Sequence, residues 1–309
     1  MSTNDVRFAI PLSLVGCLCA LPAAADAPFF FSTGDPNGRM ATATRPDGGA
    51  PSTFEIESAD DFILTTTTRL DSATFTGLLP TGATASDVKD VVVEIYRVFP
   101  KDSDVGRTSG PPTFSTPNVP TRVNSPSDVA LDSRDSAKST LSFTASVGAT
   151  FTSANSVQPG GIHLASPPPQ GGDGPFTGEE TVFDVTFTTP FTLLADHYFF
   201  VPQVQLDDGD FLWLSAPRPI ASPGTPFPPG FTDLQSWTRD AALDPDWLRV
   251  GTDIVGKDVD GIAPTFNAAF SLSGAAIPEP STWAMMLLGF AGFGYAGWRR
   301  ARKASLVSA

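Results

Sequence analysis

Apolar and polar residues alternate along most of the chain with a period close to two, in short runs broken by turn residues. Residues 53–64 (TFEIESADDFIL) and 69–79 (RLDSATFTGLL) alternate in part and are rich in Phe, Ile and Thr. Residues 91–99 (VVVEIYRVF) are β-branched or aromatic almost throughout and form the strongest predicted strand. Residues 140–151, 181–189, 198–206, 211–215 and 265–272 continue the pattern. Pro80-Thr81-Gly82, Pro159-Gly160-Gly161 and Asp207-Asp208-Gly209 punctuate it. The last of these predicts a hairpin over 205–211. A short helix is predicted only over 232–243. Pro-rich stretches near 100–126, 166–176 and 217–230 read as long surface loops, and 26–50 as a loosely ordered lead-in. Many strands without alternating helices predict an all-β fold, a jelly-roll-like antiparallel β-sandwich. No fixed repeat period is present, which argues against a solenoid or propeller.

The two ends depart from this pattern. Near the N-terminus, Arg7 precedes an apolar run over 8–21, too short to span a bilayer, and Ala23-Ala24-Ala25 supplies small residues. This is a signal peptide, residues 1–25, with cleavage expected between Ala25 and Asp26. Leu14-Val15-Gly16-Cys17 also resembles a lipobox, but residues 18–25 stay apolar or small instead of turning polar. Cys17 and Cys19 are the only cysteines. Cleavage at Ala25 therefore leaves a body, residues 26–277, without a disulfide, a thiolate metal site or a cysteine nucleophile.

Near the C-terminus, Pro278-Glu279-Pro280 precedes an uncharged stretch from Trp283 to Trp298. As a helix its 16 residues run about 24 Å at ~1.5 Å per residue, against a hydrocarbon core of ~30 Å. Trp283 and Trp298 bracket it as interfacial aromatics would, and Arg299, Arg300, Arg302 and Lys303 follow as a cytoplasmic basic cluster. A transmembrane helix over 282–298 is therefore expected, made weak by Gly289, Gly292, Gly294 and Gly297. The order of tripeptide, glycine-rich apolar helix and arginine cluster resembles the PEP-CTERM sorting signal of Gram-negative bacteria, here over 278–303 with a tail over 304–309. The resemblance implies recognition by an exosortase, cutting near the Pro-Glu-Pro, and a host that makes exopolysaccharide. It implies transient membrane anchoring followed by a surface or extracellular location. It implies nothing about the fold of 26–277, because the signal is attached to unrelated bodies.

Composition changes the picture in two ways. Thirty Pro and 27 Gly exclude a helix-rich fold. The formal net charge of −14 becomes more negative once the basic ends are set aside, and such a surface repels nucleic-acid phosphates.

Candidate chemistry is sparse. His163 and His197 are the only histidines, and no Gly-x-Ser-x-Gly elbow accompanies them. The acid pairs Asp60-Asp61, Glu179-Glu180 and Asp207-Asp208 offer the carboxylates a glycosidase needs, but sequential residues of a strand face opposite ways. Asp207, Asp208 and Asp210 in one turn, and Asp258 with Asp260 in another, are candidate ligands for a structural Ca²⁺. Trp213, Trp237 and Trp247 are candidate sugar-stacking faces. The expectation is an exported, non-enzymatic structural or matrix protein, weakly associated with exopolysaccharide. The alternatives are a secreted polysaccharide-acting hydrolase and a permanently anchored or lipidated surface protein.

Overall fold

The computed structural model describes residues 27–48, 54–103, 124–163, 171–217, 234–240, 244–256, 264–277 and 280–307, with side chains of the final helix described over 286–300. Ala25, Asp26, Asp258, Asp260, Pro278 and Glu279 lie outside the described residues, as do the cores of the three predicted long loops.

Two sheets face each other. In the larger, β1 (Ala27–Ser32), β15 (Phe270–Ala276), β4 (Thr68–Pro80), β11 (Leu212–Ala216), β2 (Ala41–Ala43) and β8 (Ser156–Val157) lie in that order. From the other side of β4 it continues through β9 (Phe176–Leu193) to β7 (Ser142–Ser153), and β14 (Asn267–Ala268) pairs with β11. The smaller sheet has the order β13 (Asp244–Arg249), β12 (Trp237–Asp240), β3 (Ile56–Leu64), β10 (Asp196–Leu206), β5 (Val88–Arg97) and β6 (Asp132–Asp135). Every pairing between these strands is antiparallel except β2 with β8. The sandwich expectation therefore holds.

Alternation decides which residues meet between the sheets. Val91, Val93 and Ile95 of β5 and Tyr198, Phe200 and Val204 of β10 point inward, against Phe75, Phe183, Phe211, Trp213 and Phe270 of the larger sheet. Phe75 stacks on Phe183 with centroids 4.9 Å apart and meets Phe211 edge-on at 5.8 Å. Phe200 stacks on Phe270 at 5.0 Å. Gly77 lets β11 approach closely: a Cβ there would stand 2.2 Å from the Phe211 ring and 2.5 Å from the Leu212 carbonyl oxygen.

Four expectations are corrected. Residues 205–211 do not make a hairpin, because β10 and β11 belong to different sheets and the Asp207–Asp210 turn carries the chain across the sandwich. Pairing with β4 and β2 outcompetes pairing across that short turn. The helix expected over 232–243 is instead strand β12, held by β3 on one side and β13 on the other. The lead-in is ordered at its start, since β1 lies along β15 with Ala27 opposite Ala276. Finally, the transmembrane helix is not borne out. The helix α1 (Pro280–Val307) is 28 residues long, yet among the described residues no helix is long and apolar enough to cross a membrane. Its apolar stretch is diluted by four glycines and runs without a break into Arg299 and Arg300.

Phe75→Ala is expected to lower unfolding free energy by ~3–5 kcal/mol in chemical denaturation, since it empties the centre of the aromatic layer. Gly77→Ala is expected to destabilise by ~1–3 kcal/mol through forced separation of β4 and β11.

Candidate functional site

Two regions carry chemistry: the outer face of the smaller sheet, and the C-terminal segment.

On the smaller sheet, the residues that do not point into the sandwich form a second layer. Ala59, Tyr96, Phe199, Val201, Trp237 and Trp247 pack there, so the face is covered. Into this apolar layer the strands insert charge. Arg239 on β12 sits directly opposite Glu57 on β3, and both are buried. The Arg239 Nε donates to Glu57 Oε2, and the Tyr96 hydroxyl donates to Glu57 Oε1. Arg239 also donates to the Tyr96 hydroxyl at 3.1 Å and to the Asp128 carbonyl at 3.0 Å. Its guanidinium lies over the Trp247 ring, 4.6 Å from the centroid, while Trp247 donates its indole N–H to the Ser127 carbonyl at 3.0 Å. The segment carrying Ser127 and Asp128 is thus fastened to the sheet from two sides.

Glu94 and Glu55 complete the cluster. Glu55, Glu57 and Glu94 place one carboxylate oxygen each within 4.8 Å of one another. Gln203 donates to Glu55 at 2.8 Å. Glu94 Oε2 lies 3.1 Å from the Tyr96 hydroxyl oxygen. That hydroxyl has one proton to offer to the two carboxylates, Glu57 and Glu94. Burial, followed by the charges of Glu57 and Glu55, pushes the Glu94 carboxyl up to about 8. Burial and Glu57 raise Glu55 as well, and burial with Glu57 raises the Tyr96 phenol. Desolvation alone would lower Arg239; Glu57, Tyr96 and Glu55 together outweigh it and hold the guanidinium above its ordinary value. Three carboxyl groups share one guanidinium, so the proton on Glu94 balances part of the buried charge. The same oxygens are the only group of three or more among the described residues placed to share a metal ion, and Arg239 already supplies a cation there.

The residues singled out from sequence are dispersed. Asp207 pairs with Lys89 at 2.8 Å and Asp210 with Arg45, while Asp208 is exposed at the turn, so each of the two paired carboxylates faces its own cation. Asp60 and Asp61 point to opposite faces as adjacent strand residues must: Asp60 accepts from the Ala268 N–H at 2.7 Å, and Asp61 meets His197 Nε2 at 2.6 Å and the Leu234 N–H at 3.0 Å. Trp213, Trp237 and Trp247 are all buried, so none presents a ring to a sugar. Trp213 is a core residue that donates to the Ala269 carbonyl at 2.9 Å. The Glu57–Arg239–Tyr96–Glu94 network was missed from sequence. Its one local signal is Glu94 and Tyr96, two residues apart, on the face of VVVEIYRVF opposite Val91, Val93 and Ile95.

At the C-terminal end, β15 stops at Ala276, and the Ile277 N–H donates to the Thr67 carbonyl at 2.7 Å. Pro280 begins α1, as suits a residue lacking an N–H. Along the helix Leu287, Leu288, Phe290, Phe293 and Tyr295 are exposed, and Trp298 is half exposed. The backbone of Trp283, Arg302 and Lys303 lies in the helix, and Arg299 stands over the Tyr295 ring.

The raised Glu94 fixes a pH dependence. Its folded-state value lies above the ordinary carboxyl value of 4.5, so between those limits the folded protein binds more protons than the unfolded chain. Stability is therefore expected to fall as pH rises from about 5 to about 8, seen as a falling melting temperature over that range. Glu94→Gln is expected to flatten this slope. Arg239→Met, which strands the buried Glu57 charge, is expected to cost about 3–5 kcal/mol at neutral pH, as measured by chemical denaturation.

Comparison with known proteins bears on the second region. No curated protein and no solved structure matches the chain. Residues 276–303 match the family model described as the PEP-CTERM protein-sorting motif. The chain thus carries, immediately after the last strand of its sandwich, the signal by which exosortases recognise exported surface and extracellular proteins.

Proposed function

We propose that this chain is an exported, non-enzymatic protein of the cell surface or extracellular matrix. In this reading the sandwich of residues 26–277 is the cargo, and residues 278–309 are a removable address. One observation carries it. The sorting motif begins at residue 276, where β15 ends, and among the described residues no strand follows. Cutting near Pro278-Glu279-Pro280 would remove α1 and leave every strand pairing of the sandwich in place. A residue that precedes a proline avoids the α region, and two prolines in one tripeptide are a sequence that suits a protease seeking extended backbone. The four glycines of α1 suit a segment built to be discarded.

The other end supports the same reading. The leader is expected to end at Ala25, and β1 begins at Ala27 beside β15. Both processing points therefore flank strands that pair with each other, and every core side chain among the described residues lies between them. Burial of all three body tryptophans, and the engagement of both Glu57 oxygens by Tyr96 and Arg239, favour a structural role over polysaccharide hydrolysis.

In a host with an exosortase, mass spectrometry of the surface fraction is expected to find a protein starting at Asp26 and ending near 278–280. Pro278→Ala with Pro280→Ala is expected to accumulate with the C-terminus intact. An intact C-terminus on the wild-type surface protein, with the exosortase present, would overturn the processing claim.

A further inference from the structure

Among the described residues the sandwich has several strand edges, and one long edge lacks the usual guards. β6 carries Asp132, Arg134 and Asp135, β13 carries Asp244, Pro245 and Asp246, β1 is six residues long and holds Pro28, and β8 has two residues. Charges, prolines and brevity are the usual devices against edge-to-edge pairing. β7 has none of them. Its twelve residues, SFTASVGATFTS, contain no charge and no proline, and among the described residues it pairs with β9 alone. Most of the strand is exposed, including Val147 at 37 %. The one interruption is the register shift between Val147 and Thr150, which leaves residues 142–147 as a regular free edge.

We propose that this edge is where two copies of the chain associate, β7 against β7 in antiparallel register, joining the two larger sheets into one. An antiparallel pair of identical strands is self-complementary about a two-fold axis, so donors and acceptors match without any further sequence requirement. Directly opposed residues must share a face, so the axis passes through a residue. At Ala145 it sets Phe143 against Val147 of the second copy, covering that exposed side chain, and Thr144 against Ser146 of the second copy. Charge singles out the copy as the occupant. The chain is strongly acidic, so two copies meet with least repulsion where the surface carries no charge. Glu179, Glu180 and Asp184 lie one strand inward on β9. Across the joined edge they would stand about three strand spacings from their equivalents, ~14 Å, beyond the ~8 Å screening length of physiological salt. A basic partner would find no charge on β7 to meet.

The test uses the full-length chain exported from its own host. In Ala145→Cys, mild oxidation or a short thiol cross-linker is expected to double the apparent mass on a denaturing gel. Ser133→Cys, on the guarded β6 edge, is expected to stay at the mass of one chain. Adding Thr144→Glu and Ser146→Glu to Ala145→Cys brings four carboxylates together and is expected to abolish the doubled band. Thr144→Glu with Ser146→Lys places opposite charges across the axis and is expected to restore it. The proposal is overturned by the absence of a doubled band in Ala145→Cys, by an equal one in Ser133→Cys, by cross-linking to a different protein, or by identical behaviour of the two charged variants.

Discussion

Aromatic rings hold the two sheets face to face. Phe75, Phe183 and Phe211 form one cluster of stacked and edge-on rings, Phe200, Phe270 and Trp213 form a second, and the tilted Phe75–Phe200 pair joins the two through the middle of the sandwich. Cys17 and Cys19 are the only cysteines and both precede β1, so no disulfide ties the described strands together, and this layer does the work that disulfides do in many exported domains. Its geometry sets the rest. β4 must be long enough to carry Phe75 to the centre while pairing with β9 along one side and with β15 and β11 along the other. Gly77 must be a glycine because Phe211 enters the stack beside it.

The outer face of the smaller sheet solves a different problem. A single sandwich would leave it wet, yet here tryptophans and the segment around Ser127 cover it. Covering a sheet that carries Glu57 obliges the protein to pair that charge, which Arg239 and Tyr96 do. A buried ion pair of this kind adds little net stability against a hydrophobic alternative. Its effect is positional: it places β12 in register with β3 and ties down a segment more than a hundred residues away in sequence.

Much of the fold was legible because alternation is local. The strands β3, β4, β5, β7, β9 and β10 all fall on segments rich in Phe, Val, Ile and Thr. What failed was everything decided by a distant partner. Residues 237–240 have no strand signal of their own and become β12 because β3 lies beside them. Asp207-Asp208-Gly209 is a good turn in either a hairpin or a crossing between sheets, and only the partners of β11 decide which. The charge network follows the same rule. Glu94 and Tyr96 stand out in an apolar strand, but Arg239 is 182 residues from Glu57 and nothing local links them. The C-terminal motif was the opposite case, a contiguous signal readable at once, though its helix proved less apolar than its bracketing tryptophans imply.

The pairing of β15 between β1 and β4 has a mechanical meaning. The tail leaves the body from the end of this strand, which is clamped by antiparallel neighbours on both sides. A pull on the tail directed along the strand loads those backbone hydrogen bonds in shear, all together, instead of peeling them one at a time. The sandwich can therefore be held and tugged at its C-terminal junction while it stays folded, and β1, the first strand of the chain's described part, is half of the clamp that makes this so.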